Sequence, residues 1–291
     1  MPVVIITLLL LSILTAWLLE DKIKQKIVSE INQQVTVPVQ VKGAIQLSLI
    51  KHFPFGSLTF NDVIIDDRLQ RNKKLLNVRE ISFLCNLYSL FTDKIEFSKI
   101  LIRNGELNLF KDETGKTNFD ILKPGTGNEK SNISIQLKKA EIKDVSFVYS
   151  DKLQATDINL KVNDVLLKGN FNDENFELAS EIKTHVNRVL VSGEEFVANR
   201  NIQSEVSLLV DKAKSKFSFT KGEIAVDENT FSITGFFATL KNGTQLNFKF
   251  LNKGKDIQKL FSLFPEKYRS SFAKADGTGE YSIVADVEGV V

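Results

Sequence analysis

The chain has 291 residues, of which 43% are hydrophobic and 25% are charged, a composition that excludes a disordered chain and is sufficient for a buried core. Lysine and arginine number 38 against 36 acidic residues, so the net charge of +2 gives no field that would favour nucleic acid as a partner. The 22 phenylalanines carry no polar group and need an apolar environment over the whole ring.

Residues 1–20 are predicted to form a transmembrane anchor. The apolar run from Val3 to Leu19 is about the minimum length that spans a hydrocarbon core as a helix. A cleaved signal peptide is the alternative, but no basic residue precedes the run and no small-x-small cleavage site follows it. The side chains expected to contact the membrane interior or its interface are Leu8, Leu11, Leu14 and Trp17.

The charges around this segment conflict with a body outside the cytoplasm. Lys22, Lys24 and Lys26 follow the segment, and the positive-inside rule would then keep the body cytoplasmic. Because no basic residue precedes Val3, we expect the natural start to lie a few residues upstream, with a basic leader. That expectation fails if Met1 is the translation start.

Residues 21–35 are predicted to form an amphipathic helix that leads out of the membrane. Ile23, Ile27, Ile31 and Val35 recur every four residues, which is the spacing of one apolar helix face. The same face is also suited to packing on the first strands of the domain.

From residue 36 onward the apolar period changes to two, which is typical of half-buried strands. About a dozen strands are expected, separated by turn sequences such as those at 103–105 and 227–229. Short turns and the lack of helical crossovers predict one antiparallel sheet. Short helices are expected at 87–91 and 256–264, the latter capped by Asp256, and an exposed loop at 123–132.

Such a sheet has one apolar face, and the predicted helices are too few to cover it. A self-packed sandwich and a closed barrel would both show the same alternation. The other solution is a curved open groove whose apolar floor is covered by acyl chains. Strand parity assigns the groove floor to Phe83, Leu107, Leu109, Val145, Phe147, Leu160, Leu208, Phe219, Phe248 and Ile283.

The sequence offers little for catalysis, and we predict no catalytic residue, metal site or cofactor. The only histidines, His52 and His185, are far apart in sequence, so no local metal-binding pair exists. The single cysteine, Cys85, cannot form an intramolecular disulfide and is expected to be a small buried hydrophobe. The tripeptide at 115–117 resembles the end of a phosphate loop but is expected to be a turn.

The order of these segments resembles bacterial AsmA-like proteins, relatives of TamB and, more distantly, of the chorein-type bridge proteins that carry lipid between membranes. The most specific likeness is the block LYSLF at 87–91 with the segments that follow it, although Phe119 stands where the family usually has Trp. Family members generally run past this length, so we expect the chain to be the N-terminal portion of a longer protein. The segments that carry the likeness are 47–54, 58–65, 87–91, 95–100, 104–109, 115–122 and 260–268.

The resemblance implies a single-pass anchor in the bacterial inner membrane and a groove domain, residues 36–291, in the periplasm. The implied function is to hold or conduct phospholipid from the inner towards the outer membrane and to contribute to outer-membrane assembly, with outer-membrane assembly proteins as candidate partners and without catalysis. The alternative is a non-enzymatic periplasmic scaffold that binds other proteins during outer-membrane biogenesis. An enzyme with residues converging from distant strands is a third option.

Overall fold

The computed structural model of the protein describes residues 25, 28–52, 55–86, 95–123, 133–240, 243–265, 268–269 and 278–290. The predicted anchor, with Leu8, Leu11, Leu14 and Trp17, lies outside the described residues, as do the predicted helix at 87–91 and most of the predicted loop at 123–132. None of the helices in the described part of the chain is long and apolar enough to cross a membrane.

The body is mainly β. Among the described residues, helix α1 covers residues 28–34 and helix α2 covers Ile257–Phe261. Its strands are β1 Val39–Val41, β2 Ile45–His52, β3 Phe55–Asp66, β4 Lys74–Asn86, β5 Ile95–Lys111, β6 Ile133–Asp151, β7 Thr156–Lys168, β8 Asn175–Val191, β9 Glu194–Asp211, β10 Lys216–Val226, β11 Asn229–Leu240, β12 Gly243–Asp256 and β13 Thr278–Val290.

All thirteen strands belong to one sheet, in which spatial order follows chain order from β3 to β13. The first two strands, β1 and β2, both pair with the outer edge of β3. No pairing joins this edge to β13 among the described residues, so the sheet is long and not closed. Closure into a barrel is therefore not the way in which this sheet covers its apolar face.

The prediction of a wholly antiparallel sheet is wrong at one pair. Strands β5 and β6 run parallel, with Ile95 opposite Ile133 and Lys111 opposite Asp151, so the sheet is mixed. A parallel pair needs a connection of roughly a dozen residues or more. The segment at 112–132 is long enough to return the chain to the level at which β5 begins.

The predicted turn at 103–105 is also wrong, because these residues lie inside β5. Asn104 has a left-handed backbone with φ 55°, as do Asp62 in β3 and Asp144 in β6 with φ 54°. Each of the three interrupts the strand pairing at the same level of the sheet without shifting the register. Asparagine and aspartate tolerate this conformation, and such irregularities bend a strand. The three kinks therefore form a row across a sheet that is curved.

A compact core lies where α1 packs on β3, β4 and β5. Val28 and Ile31 of α1 contact the cluster, which shows that the helix packs on the first strands. The Asn32 side chain ties α1 to Val39, accepting from its amide at 2.8 Å and donating to its carbonyl at 3.3 Å. The buried members of this core are Leu58, Phe60, Val63, Val78 and Phe97.

Asp256 caps α2, as the sequence predicts. Its carboxylate accepts from the backbone amides of Gln258 at 3.0 Å and Lys259 at 3.4 Å, which is the bonding expected of an N-cap residue. The apolar side chain of Leu260 is buried, and α2 contacts β12. The helix therefore covers one end of the sheet near its last strands.

Candidate functional site

One face of the sheet is apolar across nearly its whole length. Register partners in neighbouring strands share a face, and the face that carries the core under α1 can be followed from strand to strand. We call it the apolar face. One row of register partners on it contains Phe60, Ile81, Ile102, Ile142, Val165 and Ile182, from β3 to β8.

The ten residues assigned to the groove floor by parity all lie on the apolar face. Leu107, Phe147 and Leu160 are adjacent in one row. Leu208 is opposite Phe219, and Phe248 follows in the same row beyond Gly235. The others lie on the same face as follows: Phe83 next to the core, Leu109 beside Tyr149, Val145 opposite Val162, and Ile283 on β13 opposite Asn252. Their contact with lipid remains a prediction.

A row of aliphatic residues on this face was missed by the sequence reasoning. Ile102 and Leu107 are five positions apart, so strict alternation would place them on opposite faces. The kink at Asn104 returns both to the apolar face. The signal that could have found them is the Asn104-Gly105 pair inside an otherwise continuous apolar alternation.

Beyond the core, no second layer covers the apolar face in the described part of the chain. The pairs of elements that contact each other extensively are neighbours in the sheet, apart from α2 on β12, and α1 packs only on the first strands. Val145 is buried, whereas the other nine predicted floor residues are half-buried. The side chains of the middle strands are therefore shielded mainly by one another.

Phenylalanine rings form a continuous patch on β10, β11 and β12. The rings of Phe217 and Phe237 stack at 4.6 Å, and those of Phe219 and Phe248 meet edge to face at 5.7 Å. Gly235 lies between the latter two in the register and has φ 114°, and a Cβ there would overlap the carbonyl oxygen of Asn247. The glycine therefore allows close strand approach and leaves room for the two rings to meet.

The opposite face is charged. Glu141 accepts from Lys139 at 2.7 Å and from Lys99 at 3.0 Å, and its side chain is 13% exposed. Burial raises the pKa of Glu141, but the hydrogen bonds from Lys139 and Lys99 outweigh this effect and lower the pKa to about 2. Cross-strand ion pairs continue along this face, including Lys143 with Asp164 at 3.4 Å and Lys221 with Glu205 at 2.6 Å. The sheet is therefore amphipathic.

The apolar face ends in a buried ion pair where β5 and β6 end. Asp151, with a side chain 1% exposed, accepts from Lys111 at 3.0 Å and from the hydroxyl of Tyr149 at 3.2 Å. Burial raises the pKa of Asp151, and the hydrogen bond from Lys111, first among several, more than offsets this and lowers it. These partners satisfy the carboxylate, so the cluster is a structural closure of the strand ends.

A buried asparagine holds the loop after β5, and sequence reasoning gave it no role. Asn118 is 0% exposed; it accepts from the Phe110 amide at 2.8 Å and donates to Asp67 at 2.8 Å and to the Asn108 carbonyl at 2.9 Å. Farther along, the loop pairs with the chain after α1, where the Thr36 amide donates to the Ile121 carbonyl at 2.7 Å. The sequence signal for a role of Asn118 was its position in the segment that most resembles the AsmA-like proteins.

Polar groups interrupt the apolar face beside α2. Arg200, on the apolar face of β9, donates to Asp227 at 2.9 Å and to the carbonyl of Ser262 at 2.5 Å. Asn252 is 3% exposed and donates to the Thr230 carbonyl at 2.8 Å, while its Oδ1 has no partner among the described residues. The apolar path across β9 to β13 therefore lies towards the other end of these strands, where the phenylalanine patch is.

Comparison of the sequence with protein-family models identifies the family of proteins in which this amphipathic sheet occurs. The model of the AsmA family matches residues 2–258, which is most of the chain. The chain belongs to the AsmA family. No curated protein matches it.

The AsmA match extends from the predicted anchor through β12 into α2, and β13 continues the same sheet beyond it. The segments in which the sequence resembles the family up to residue 122 all lie inside the match. Family membership together with a long, curved, open sheet is consistent with lipid transport.

Metal chemistry finds no support in the described residues, where no group of three or more His, Cys, Asp or Glu side chains could hold an ion. His185 lies on the charged face, with Nδ1 2.9 Å from the Asn201 side-chain oxygen. The turn at 115–117 follows β5, and the Asp112 carboxylate accepts from the Thr114 and Lys116 amides at 2.8 and 2.9 Å. These contacts are those of an ordinary loop.

Proposed function

We propose that this AsmA-family protein holds or conducts phospholipid along the apolar face of its sheet, with the acyl chains lying on the rows of aliphatic and phenylalanine side chains. The observation that carries the proposal is an apolar face that continues over eleven neighbouring strands, from β3 to β13. Among the described residues, α1 lies over the first strands and α2 lies near β12, and no second protein layer covers the strands between them. An acyl chain supplies the apolar contacts that a second layer would otherwise supply.

The dimensions of the face suit more than one lipid. Neighbouring strands lie ~4.8 Å apart, so the sheet from β3 to β13 extends roughly 50 Å along the groove. An acyl chain that lies across the strands covers only part of this length. Several lipids therefore fit in succession, which is the arrangement expected of a conduit and not of a single closed pocket.

The strength of binding expected on an open floor also favours movement. A fully buried methylene contributes ~0.8 kcal/mol, so ten methylenes half covered by the floor contribute roughly 4 kcal/mol. That energy corresponds to a dissociation constant on the order of 1 mM for each chain. Contacts of this strength hold a lipid on the face but release it to the next section of the floor.

The lipid path follows the apolar rows. From β3 to β8 it uses three successive rows of the apolar face: the row of Ile102 and Ile142, the row of Gly105 and Val145, and the row of Leu107 and Phe147. At β9 these rows reach the polar side chains beside α2, where contact with hydrocarbon is unfavourable. The path then shifts to the level of Leu208 and the phenylalanine patch, which leads to Val287 on β13.

The location follows from the same proposal. We place residues 1–20 in the bacterial inner membrane as a single-pass anchor and the sheet in the periplasm. In this position the first strands, with α1, lie nearest the membrane and the later strands lead away from it. The protein then contributes to lipid transport towards the outer membrane and to outer-membrane assembly, without a catalytic step.

The proposal is tested by lipid recovery from matched variants. Leu208 and Leu209 are neighbours on opposite faces of β9, and Leu209 is 51% exposed on the charged face. We expect Leu208→Asp to lose most of the phospholipid that mass spectrometry finds on the purified full chain, as should Phe147→Asp and Phe248→Asp. Leu209→Asp should keep it. A wild-type protein that carries no phospholipid overturns the proposal, and so does equal loss in both leucine variants.

A further inference from the structure

An apolar cavity of about 150 Å³ lies between α1 and the first strands, away from the open part of the apolar face. Helix α1 forms one wall and β1, β3 and β4 form the others, and every side chain that lines the cavity is aliphatic or phenylalanine. The lining side chains are Val28, Ile31, Val39, Val41, Phe60, Val63, Ile65, Leu76, Ile81 and Phe83.

The cavity is continuous with the apolar face. Phe60 and Ile81, which line it, begin the row that leads through Ile102 to β8. The floor of the cavity and the floor of the groove are therefore one surface. Helix α1 is the element that turns this part of the floor from an open surface into a partly enclosed space.

Helix α1, which covers the cavity, is held in place by polar contacts that do not depend on whether the cavity is filled. Asn32 of α1 is bonded to both backbone groups of Val39, and the Gln34 carbonyl accepts from the Lys123 amide at 2.9 Å. The loop fixed by Asn118 thus attaches the end of α1 to the sheet. Because these bonds hold α1 in place, the space under it can persist without collapse.

The apolar lining of the cavity favours a hydrocarbon ligand over water. A buried water needs two to four polar partners, which an all-apolar lining does not give, and cavities of this type and size stay dry and bind small hydrocarbons in other proteins. The volume suits the last few carbons of an acyl chain. We propose that this cavity receives the terminal part of an acyl chain of a phospholipid that lies on the apolar face, with α1 as the end stop.

This inference rests on the proposed function, and the experiment separates the two. The full chain is placed in nanodiscs that contain a phosphatidylethanolamine with a photoactivatable diazirine near the methyl end of one acyl chain. Crosslinked positions are then mapped by peptide mass spectrometry. Val41→Phe adds volume inside the cavity, and Val148→Phe is the matched control, because Val148 is half-buried on the charged face of β6, away from the cavity and from the apolar face.

In the wild-type protein we expect crosslinks to residues 28–41 and 60–83 as well as to β6, β7 and β8. In Val41→Phe the crosslinks to residues 28–41 should fall by roughly tenfold or more, since excluding only two methylenes from burial changes a binding constant by about that factor. Crosslinks to β6, β7 and β8 should persist. Val148→Phe should retain both sets.

Three results overturn a proposal. Unchanged crosslinking of residues 28–41 in Val41→Phe, or none there in the wild type while the middle strands are labelled, overturns the cavity site and leaves the groove. No crosslink to any strand, with no lipid recovered, overturns the proposed function itself. The thermal midpoint of Val41→Phe should match or exceed that of the wild type. If Val41→Phe does not fold, Val28→Phe is used in its place.

Discussion

Removal of the Asn118 side chain should destabilise the protein more than removal of any exposed asparagine side chain does. In Asn118→Ala the Phe110 amide and the Asn108 carbonyl, both on half-buried residues, lose the fully buried partner that they share, and the Asp67 carboxylate loses one donor. Each buried group left without a partner costs about 1–3 kcal/mol, so the expected loss in the free energy of unfolding is roughly 3–5 kcal/mol. For a chain of this size, that loss lowers the thermal midpoint by about 6–15 °C.

The loss is measured by thermal and urea unfolding of the full chain, followed by circular dichroism of the sheet. Asn187→Ala is the control, because Asn187 is exposed and donates to the Asn159 side chain at 2.7 Å. Its effect should lie within about 0.5 kcal/mol. Equal effects of the two substitutions would refute the role assigned to Asn118. Since its loop also holds α1, limited proteolysis near residues 28–36 should accelerate in Asn118→Ala and not in the control.

Three further predictions concern the charged face, the strand approach at Gly235 and the apolar face. The pKa of Glu141 is lowered to about 2 from its ordinary value of 4.5, so the stabilising contribution of this carboxylate is complete above pH 4.5 and is lost as the pH falls towards 2. Urea midpoints measured from pH 5 to pH 2.5 should therefore fall less for Glu141→Gln than for the wild type, and identical pH profiles would contradict this. Gly235→Ala should cost more than about 3 kcal/mol in chemical unfolding, because its Cβ overlaps backbone. Gly193→Ala, also at positive φ but with nothing near its Cβ, should cost about 1 kcal/mol; similar costs would contradict the steric argument. Removal of lipid from the purified protein should lower its thermal midpoint and increase self-association, and added phospholipid should reverse both; a delipidated protein that stays monomeric and equally stable would contradict the open apolar floor.

The strands and their buried side could be predicted from sequence because both follow from a local rule. In an extended chain the side chains alternate, so the apolar period of two identifies the strand and its apolar face together. That is why parity alone brought Leu107, Phe147 and Leu208 to one face. The Asp256 cap was predictable for the same reason, since it depends only on the residues that follow it.

Features that depend on distant segments could not be predicted in this way. A strand next to a parallel neighbour shows the same alternation as one next to an antiparallel neighbour, so nothing in Ile95–Lys111 reveals the direction of β6. The Asn104-Gly105 pair suits a turn between two strands or a kink within one. Only the continuous register of β4 and β6 on either side decides for the kink.

The sequence predicted which residues form the apolar face, but it did not predict the proposed route of a lipid across that face. Arg200 on β9 and Asn252 on β12 interrupt the apolar rows, and the partners that hold them, the Ser262 and Thr230 carbonyls, lie on other segments of the chain. The cavity under α1 likewise depends on how Val28 and Ile31 meet the strands. Sequence alternation identifies which side chains are apolar; the register determines which of them a hydrocarbon chain meets in succession.

The chemistry of the two faces supports the proposal that lipid covers the apolar one. Ion pairs such as Glu141 with its two lysines keep one face in water, so a second sheet cannot pack there without burying charge. The apolar face continues over eleven strands, and in the described part of the chain α1 and α2 lie only at its ends. Soluble monomers rarely leave a large continuous apolar surface exposed. Packing against a second copy would bury it but would close the groove. A hydrocarbon layer satisfies the face and leaves it accessible along its length, which is the property that a surface for moving lipid needs.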